Sequence, residues 1–122
     1  MVCCALPAGA LPTFTPLGGG LPSRANGVSA DGTWVVGTSG SKAFRWSAST
    51  GLQEIGNGTA NGVSDDGSVV VGGSDFGSGA EAYRWTAGAG MAPLGDLAGG
   101  TFASEAFAVS GDGSIVVGNG SS

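Results

Sequence analysis

Hydrophobic and polar positions along this chain recur in blocks, and one block appears three times. The central copy spans 60–72 and reads Ala Asn Gly Val Ser Asp Asp Gly Ser Val Val Val Gly. The other copies span 25–37 and 106–118. Each copy passes through a Ser-x-Asp-Gly stretch and ends on an apolar run before a glycine. A block that returns in this way indicates a repeat array.

A second unit lies between the copies and completes the repeat. It reads Ala Phe Arg Trp at 43–46 and Ala Tyr Arg Trp at 82–85. The first block predicts a hairpin, with a short strand at 25–29, a return strand at 33–38 and Asp-Gly supplying the positive φ of the turn. The second unit predicts a third strand over 42–47 and a fourth over 52–55. Each repeat therefore offers four short antiparallel strands.

The repeats divide the chain into segments. We expect an apolar segment 1–12, a repeat domain 13–118 with full repeats 25–56 and 60–97 and a partial repeat 106–118, and a polar tail 119–122. Ala8, Gly9 and Ala10 are typical of a signal-peptidase site, so the apolar segment is either the remnant of a signal peptide or a disordered terminus. Phe14 to Leu17 matches the later Pro Leu Gly unit at 93–95 and is predicted to be the last strand of an earlier repeat.

Two features favour a β-propeller-like array over a β-solenoid. The runs 69–71 and 115–117 do not alternate with polar residues, which predicts strands buried on both faces. Equivalent valines are separated by 35 residues (Val28 to Val63) and then by 46 (Val63 to Val109), more variation than solenoid coils tolerate. We therefore predict an all-β fold, a partial propeller of about two and a half to three four-stranded antiparallel blades. Phe44 with Trp46, and Tyr83 with Trp85, are expected at blade interfaces.

Charge and composition argue against some classes of function. The formal net charge is −5 and the only cations are Arg24, Lys42, Arg45 and Arg84, so nucleic acid is not an expected partner. No apolar run approaches 18 residues, which argues against a transmembrane helix. The 26 glycines among 122 residues indicate many turns between short strands.

The recurring Val Ser x Asp Gly, Val Val Gly and Ala Phe Arg Trp units resemble the HAF repeats of bacterial extracellular proteins, including passenger regions of some autotransporters. The resemblance covers 14–118. In place of the His Ala Phe triplet that names the family, this chain has Lys Ala Phe at 42–44 and Glu Ala Tyr at 81–83. The resemblance implies export and a secreted or cell-surface location, and it carries over no catalytic residues.

Candidate chemistry is sparse. The chain has no histidine, so a Ser or Cys triad has no base. Adjacent Cys3 and Cys4 lack the spacing of a zinc site and cannot frame a disulfide network. Asp65 and Asp66 are possible calcium ligands, but Ala30 and Gly111 stand at the positions equivalent to Asp65, so turn formation is the preferred role. We predict no metal, no cofactor and no catalytic residue.

The remaining polar residues have structural interpretations. The stretch 29–34 is similar to the Asp-box turn of sialidase-type propellers but is one residue short. Arg45 and Arg84 are expected in ion pairs or hydrogen bonds at strand edges. The carboxylates are expected to form a solvated rim in or near loops. These are Glu54, Asp75, Glu81, Asp96 and Glu105.

Two functions remain open at this point. The first is a noncatalytic extracellular module for surface display or for protein or glycan interaction. The alternative is a fragment of an extracellular, sialidase-like propeller hydrolase whose catalytic residues lie outside this chain. Because about three blades cannot close a ring, we also expect self-association, or membership of a longer protein.

Overall fold

The protein is described here by a computed structural model that covers residues 2–3, 15–17, 21–95, 98–99, 101 and 103–121. These residues form strands and no helix. The strands are β1 (Val2–Cys3), β2 (Thr15–Pro16), β3 (Ser23–Val28), β4 (Val35–Ser39), β5 (Lys42–Ser47), β6 (Gly51–Asn57), β7 (Thr59–Val63), β8 (Val70–Asp75), β9 (Ala80–Thr86), β10 (Gly90–Gly95), β11 (Ser104–Val109) and β12 (Val116–Gly120).

Strands β3 to β12 build three antiparallel sheets in chain order, and β1 and β2 form a separate two-stranded sheet. Sheet 1 contains β3 to β6, sheet 2 contains β7 to β10, and sheet 3 contains β11 and β12. Hydrogen bonds run between successive strands of one repeat, which confirms the all-β fold with two complete four-stranded antiparallel sheets. This pairing differs from a parallel β-helix, in which strands of successive coils pair with each other.

The segments at the two ends differ in detail from the expected boundaries. Thr15–Pro16 does form a strand, but its partner is Val2–Cys3. The rest of segment 1–12, including Cys4 and the Ala Gly Ala stretch, lies outside the described residues. At the other end β12 continues to Gly120, because Asn119 and Gly120 pair with Glu105 and Ser104. Two residues of the predicted polar tail therefore belong to a strand.

The first strand of each repeat carries a β-bulge. The register slips between Ala25 and Gly27 in β3, between Ala60 and Gly62 in β7, and between Ala106 and Ala108 in β11. A bulge adds one unpaired residue and re-aims its side chain. The unpaired residues are Asn26, Asn61 and Phe107.

The glycine that ends each Val-Val-Gly run sits opposite the bulge and lies inside a strand. A Cβ at Gly37, Gly72 or Gly118 would overlap the carbonyl oxygen of Arg24, Thr59 or Glu105 respectively. None of the three has a positive φ. These glycines are therefore required by close backbone approach, and the expectation that glycines mark turns is wrong for them.

Sheets 1 and 2 enclose the main core. Val36 and Ala43 of sheet 1 pack with Ala60, Tyr83 and Trp85 of sheet 2, which confirms the predicted interface role of Tyr83 and Trp85. The Tyr83 hydroxyl donates to the Thr59 carbonyl at 2.8 Å, and burial raises the pKa of that phenol. A second cluster joins Val71 and Ala82 to Ala106 of sheet 3. The strand β11 lies against β7, β8 and β9, so the three sheets stack face to face.

Candidate binding surfaces

Each Ser-x-Asp-Gly stretch folds into the same side-chain network. In the second repeat, Ser64 Oγ donates to Asp66 Oδ1 at 2.9 Å, and the Ser68 amide and hydroxyl donate to the same oxygen at 3.0 and 2.7 Å. Ser64 Oγ also accepts from the Val69 amide at 3.0 Å. The first and third repeats repeat these bonds around Asp31 and Asp112.

The loop that carries this network is longer than the tight hairpin predicted from Asp-Gly. In the first repeat β3 ends at Val28 and β4 begins at Val35, and the loop is closed by the Ser29 amide donating to the Trp34 carbonyl at 2.9 Å. The predicted positive φ is confirmed at Gly32, Gly67 and Gly113, with values of 76, 73 and 76°. The aspartate therefore orders a loop, and its oxygens are used within the turn.

These hydrogen bonds stabilise the charged carboxylates. Donation from the Ser68 hydroxyl and amide and from the Ser64 hydroxyl lowers the pKa of Asp66 from its ordinary 3.8 to about 2. The pKa of Asp112 falls to about 2, chiefly through the Ser110 hydroxyl, and that of Asp31 is lowered mainly by the Thr33 amide. A depressed folded-state pKa contributes stability above the unfolded pKa, and this contribution is lost as the pH falls through the folded value.

We therefore expect acid destabilisation in a defined window. The melting temperature should fall between pH 3.8 and about 2, where the turn aspartates take up protons. The variant Asp66→Asn should be less stable than the wild type at neutral pH and should show a shallower decline, and Asp66→Asn with Asp112→Asn a shallower one again. Circular dichroism melts across this range give the slopes. Parallel slopes for wild type and the double variant would show that the turn carboxylates do not govern the transition.

Asp65, the other carboxylate of the Asp65–Asp66 pair, faces the next repeat. The Asp65 amide donates to the Gly111 carbonyl at 2.9 Å, and the Asp65 carboxylate lies against the Gly111 backbone. Among the residues that the structure covers, no group of three or more His, Cys, Asp or Glu side chains could hold a metal ion.

Arg45 lies between two tryptophans at the junction of sheets 1 and 2. Its guanidinium carbon is 4.6 Å from the Trp34 ring centroid and 4.7 Å from that of Trp85. Nη1 donates to the Gly67 carbonyl at 2.6 Å and Nε to Gln53 Oε1 at 3.0 Å. The Gln53 bond agrees with the predicted strand-edge role, whereas the contact with both tryptophans was not predicted. Arg45 thus joins the two sheets.

Two of the carboxylates assigned to a solvated rim are wholly or partly buried. Glu81 is buried in β9 and its Oε1 accepts from the Gly95 amide at 2.9 Å. Glu105 is half-buried in β11, where its Oε1 accepts from Asn61 Nδ2 at 2.9 Å. The prediction was wrong because both residues lie in strands at sheet junctions. Glu54 and Asp75 are exposed as expected, and Asp96 lies outside the described residues.

The bulge asparagines connect the first strands of successive sheets. Asn26 Nδ2 donates to the Ala60 carbonyl and Asn61 Nδ2 to the Ala106 carbonyl, both at 2.9 Å. The Asn-Gly pair at 26–27 recurs at 61–62, and that recurrence was the available sequence signal for this role. In the third repeat the bulge residue is Phe107, which is 49% exposed.

A polar cavity of about 440 Å³ lies at the junction of sheets 1 and 2. Arg24, Asn26 and Thr38 line it from sheet 1, and Thr59 and Asn61 from sheet 2. Ser23 Oγ and Thr38 Oγ1 at its wall are buried and have no hydrogen-bond partner in the described part of the chain. Buried hydroxyls are usually satisfied, so these two are exceptions.

The outer face of sheet 3 is apolar and open. Ile115 and Val117 are 63% and 56% exposed, although the equivalent Val69 and Val71 of sheet 2 are buried. The expected burial is confirmed for 69–71, whereas Ile115 and Val117, at the open end of the array, are exposed. The difference arises because sheet 3 covers sheet 2, while no described strand covers the outer face of sheet 3.

Comparison with known proteins gives one informative likeness. No protein-family model and no curated protein sequence matches the chain. The structure is similar to the crystal structure of TolB from Acinetobacter baumannii, with a TM-score of 0.58 and 20% sequence identity. The match covers 87% of this chain and 29% of the TolB chain, so this chain spans less than a third of that protein's length. The likeness concerns the fold alone: the stacked antiparallel sheets resemble part of a β-propeller.

Proposed function

We infer that the protein is a noncatalytic β-propeller-like repeat module that associates through the open face of sheet 3. The observation that carries this inference is the exposure of Ile115 and Val117, whose counterparts Val69 and Val71 in sheet 2 are buried. The partner that fits the face is a repeat of the same kind, supplied by a second copy of this chain. The resemblance to HAF repeats supports a module displayed at a bacterial surface or secreted.

The packing between successive repeats illustrates the complementary surface. Trp34 lies against Gly67 of the next repeat, and a Cβ at Gly67 would overlap the indole ring. Val69 lies against Gly113 in the same way, with a Cβ contact of 2.7 Å to Val69 Cγ2. Ile115 is the third member of this series, and the turn glycine that would cover it is missing from the described residues. A repeat surface with such a glycine would bury it.

The free edge of β12 adds a second reason for association. In sheet 2 the equivalent strand β8 pairs on both sides, with β7 and β9. In sheet 3 the strand β12 has β11 on one side and no described strand on the other. An unpaired edge next to an exposed apolar face favours addition of a strand from another chain.

Self-association can be tested by light scattering coupled to size exclusion at micromolar concentration. We expect the wild type to run as a dimer or larger species and Ile115→Lys with Val117→Lys to shift it to monomer, because charges on the face oppose its burial. The matched control is Phe76→Lys, since Phe76 is 39% exposed in the loop between β8 and β9 of the middle sheet, outside both end faces of the array. A wild type that stays monomeric and unfolds cooperatively would overturn the proposal.

A further inference from the structure

Three residues occupy one position in the first strands of the three sheets. Arg24, Thr59 and Glu105 each immediately precede the alanine before the bulge, and they pair with Thr38, Gly73 and Asn119 respectively. The two junctions between sheets can therefore be compared residue by residue. The first junction, between sheets 1 and 2, has Arg24 and Thr59 at this position, and the second, between sheets 2 and 3, has Thr59 and the carboxylate Glu105.

At the second junction the space between the sheets is filled by the Glu105 carboxylate. Asn61 Nδ2 donates to Glu105 Oε1 at 2.9 Å and Thr59 Oγ1 lies 3.4 Å from the same oxygen. The Glu105 side chain runs over Gly73, where a Cβ would be 3.3 Å from Glu105 Cγ. The bulge residue Asn61 and the strand residue Thr59 thus form a binding site for a carboxylate.

At the first junction Asn26 and Arg24 stand in the places of Asn61 and Thr59, but the position equivalent to Glu105 has no carboxylate. The residue equivalent to Glu105 is Thr59, which is too short to cross the junction and directs its hydroxyl to Gly73 and Glu105. The residue equivalent to Thr59 is Arg24, whose guanidinium has no hydrogen bond or ion pair to any described residue. What remains between them is the cavity of about 440 Å³.

We propose that this cavity binds the carboxylate of a small acidic molecule, in the position that Glu105 occupies at the next junction. Arg24 supplies the positive charge and a fork of donors that suits a carboxylate. Asn26 stands beside this position as Asn61 stands beside Glu105, and its Nδ2 donates to the Ala60 carbonyl at 2.9 Å and, more weakly, to Asn61 Oδ1 at 3.5 Å, a contact that a ligand carboxylate would replace. The volume lies within the range of small-molecule sites and accommodates a single acidic sugar.

Glu105 also lines the cavity, and its charge opposes an anionic ligand. Its Oε1 accepts a hydrogen bond from the Asn61 amide, which leaves the charge in place, so Arg24 and Glu105 present opposite charges to one cavity. Two consequences follow. Binding is weak in the wild type, and Glu105→Gln strengthens it.

The test is NMR titration of the full chain with sodium glucuronate, sodium acetate and glucose. We expect glucuronate to saturate in the millimolar range and to shift the Asn26 side-chain amide signals, and glucose, which has the same ring without the carboxylate, to leave them unmoved. Acetate binding as tightly as glucuronate assigns the site to small free acids; tighter glucuronate binding assigns it to acidic sugars. Glucose binding as tightly as glucuronate, or no saturation with either acid, overturns the proposal.

Variants locate the site. Arg24→Gln should weaken glucuronate binding about tenfold or more, as expected for loss of a charge-assisted hydrogen bond. Thr59→Glu should abolish binding while the protein stays folded, because the new side chain occupies the cavity as Glu105 does at the next junction. The control Arg84→Gln removes the same charge elsewhere and should change nothing. Unchanged affinity in Arg24→Gln contradicts the proposal, and the result is independent of whether the outer face of sheet 3 mediates association.

Discussion

Replacing Gly72 with alanine should destabilise the protein by about 3 kcal/mol or more, the upper range for an overpacking substitution. The added methyl group would overlap the Thr59 carbonyl oxygen, which is backbone and cannot rotate away. Relief requires separating β7 from β8 at the bulge, where Ala60 pairs with Gly72. Because β7 also packs against sheet 1, we expect the damage to reach the main core.

Two other glycines provide controls for this measurement. A Cβ at Gly88 would have no atom within 4 Å and the residue has no positive φ, so Gly88→Ala should be nearly neutral. Gly32 is equally open but has a φ of 76°, so Gly32→Ala isolates backbone strain and should cost about 1 kcal/mol. Urea denaturation of the three variants gives the series. If Gly72→Ala is no worse than Gly32→Ala, the strand pairs do not approach as closely as described.

The repeat pattern was sufficient to predict the sheets. Strict recurrence of Ser-x-Asp-Gly, Val-Val-Gly and the Arg-Trp unit defines strand order, since each strand pairs with the next in the chain. The valines at 69–71 and the aromatics Tyr83 and Trp85 identify the buried faces. These features depend on local spacing and burial, which a single sequence records directly.

The bulges and the junction contacts could not be predicted in the same way. A bulge moves one residue out of register, and the Asn-Gly pair that recurs at two of the three bulges is replaced by Phe107-Ala108 at the third, so the pair alone did not identify them. The burial of Glu81 and Glu105 depends on which strands of different repeats come together. Arg45 was expected at a strand edge because arginine is rarely buried without a partner. Its contacts with Trp34 and Trp85 were missed because these residues lie in the preceding loop and in the next repeat. Contacts between repeats depend on packing, and residue type alone does not reveal it.

Packing between repeats also explains why Arg45 and Arg84 make different contacts, although they occupy equivalent positions in their repeats. Arg45 faces Trp34 and Trp85 and donates to Gly67. At the next junction Val69 stands in place of Trp34, and sheet 3 has no described strand equivalent to β9. Arg84 therefore lacks both aromatic partners.

We expect Arg45→Ala to lower the free energy of unfolding by about 2.5 to 3.5 kcal/mol. Two cation–π contacts contribute about 0.5 to 1 kcal/mol each when partly exposed, and a hydrogen bond from a charged donor contributes about 1.5 kcal/mol or more. The loss of stability concerns the junction of sheets 1 and 2, because Arg45 is the shared partner of Trp34, Trp85 and the Gly67 carbonyl there.

The matched variant Arg84→Ala removes the same side chain, half-buried like Arg45, from the same repeat position. Because Arg84 has neither tryptophan contact, this variant should lose much less, within about 1 kcal/mol of the wild type. Arg45→Lys should fall between the two, because an ammonium keeps the charge but cannot stack as a plane between two indoles. Chemical denaturation measures all three, and tryptophan fluorescence reports the junction directly through Trp34 and Trp85. Equal losses for Arg45→Ala and Arg84→Ala would mean that the arginine contributes through its own strand alone, and the contact between the sheets would then depend on the apolar core around Tyr83.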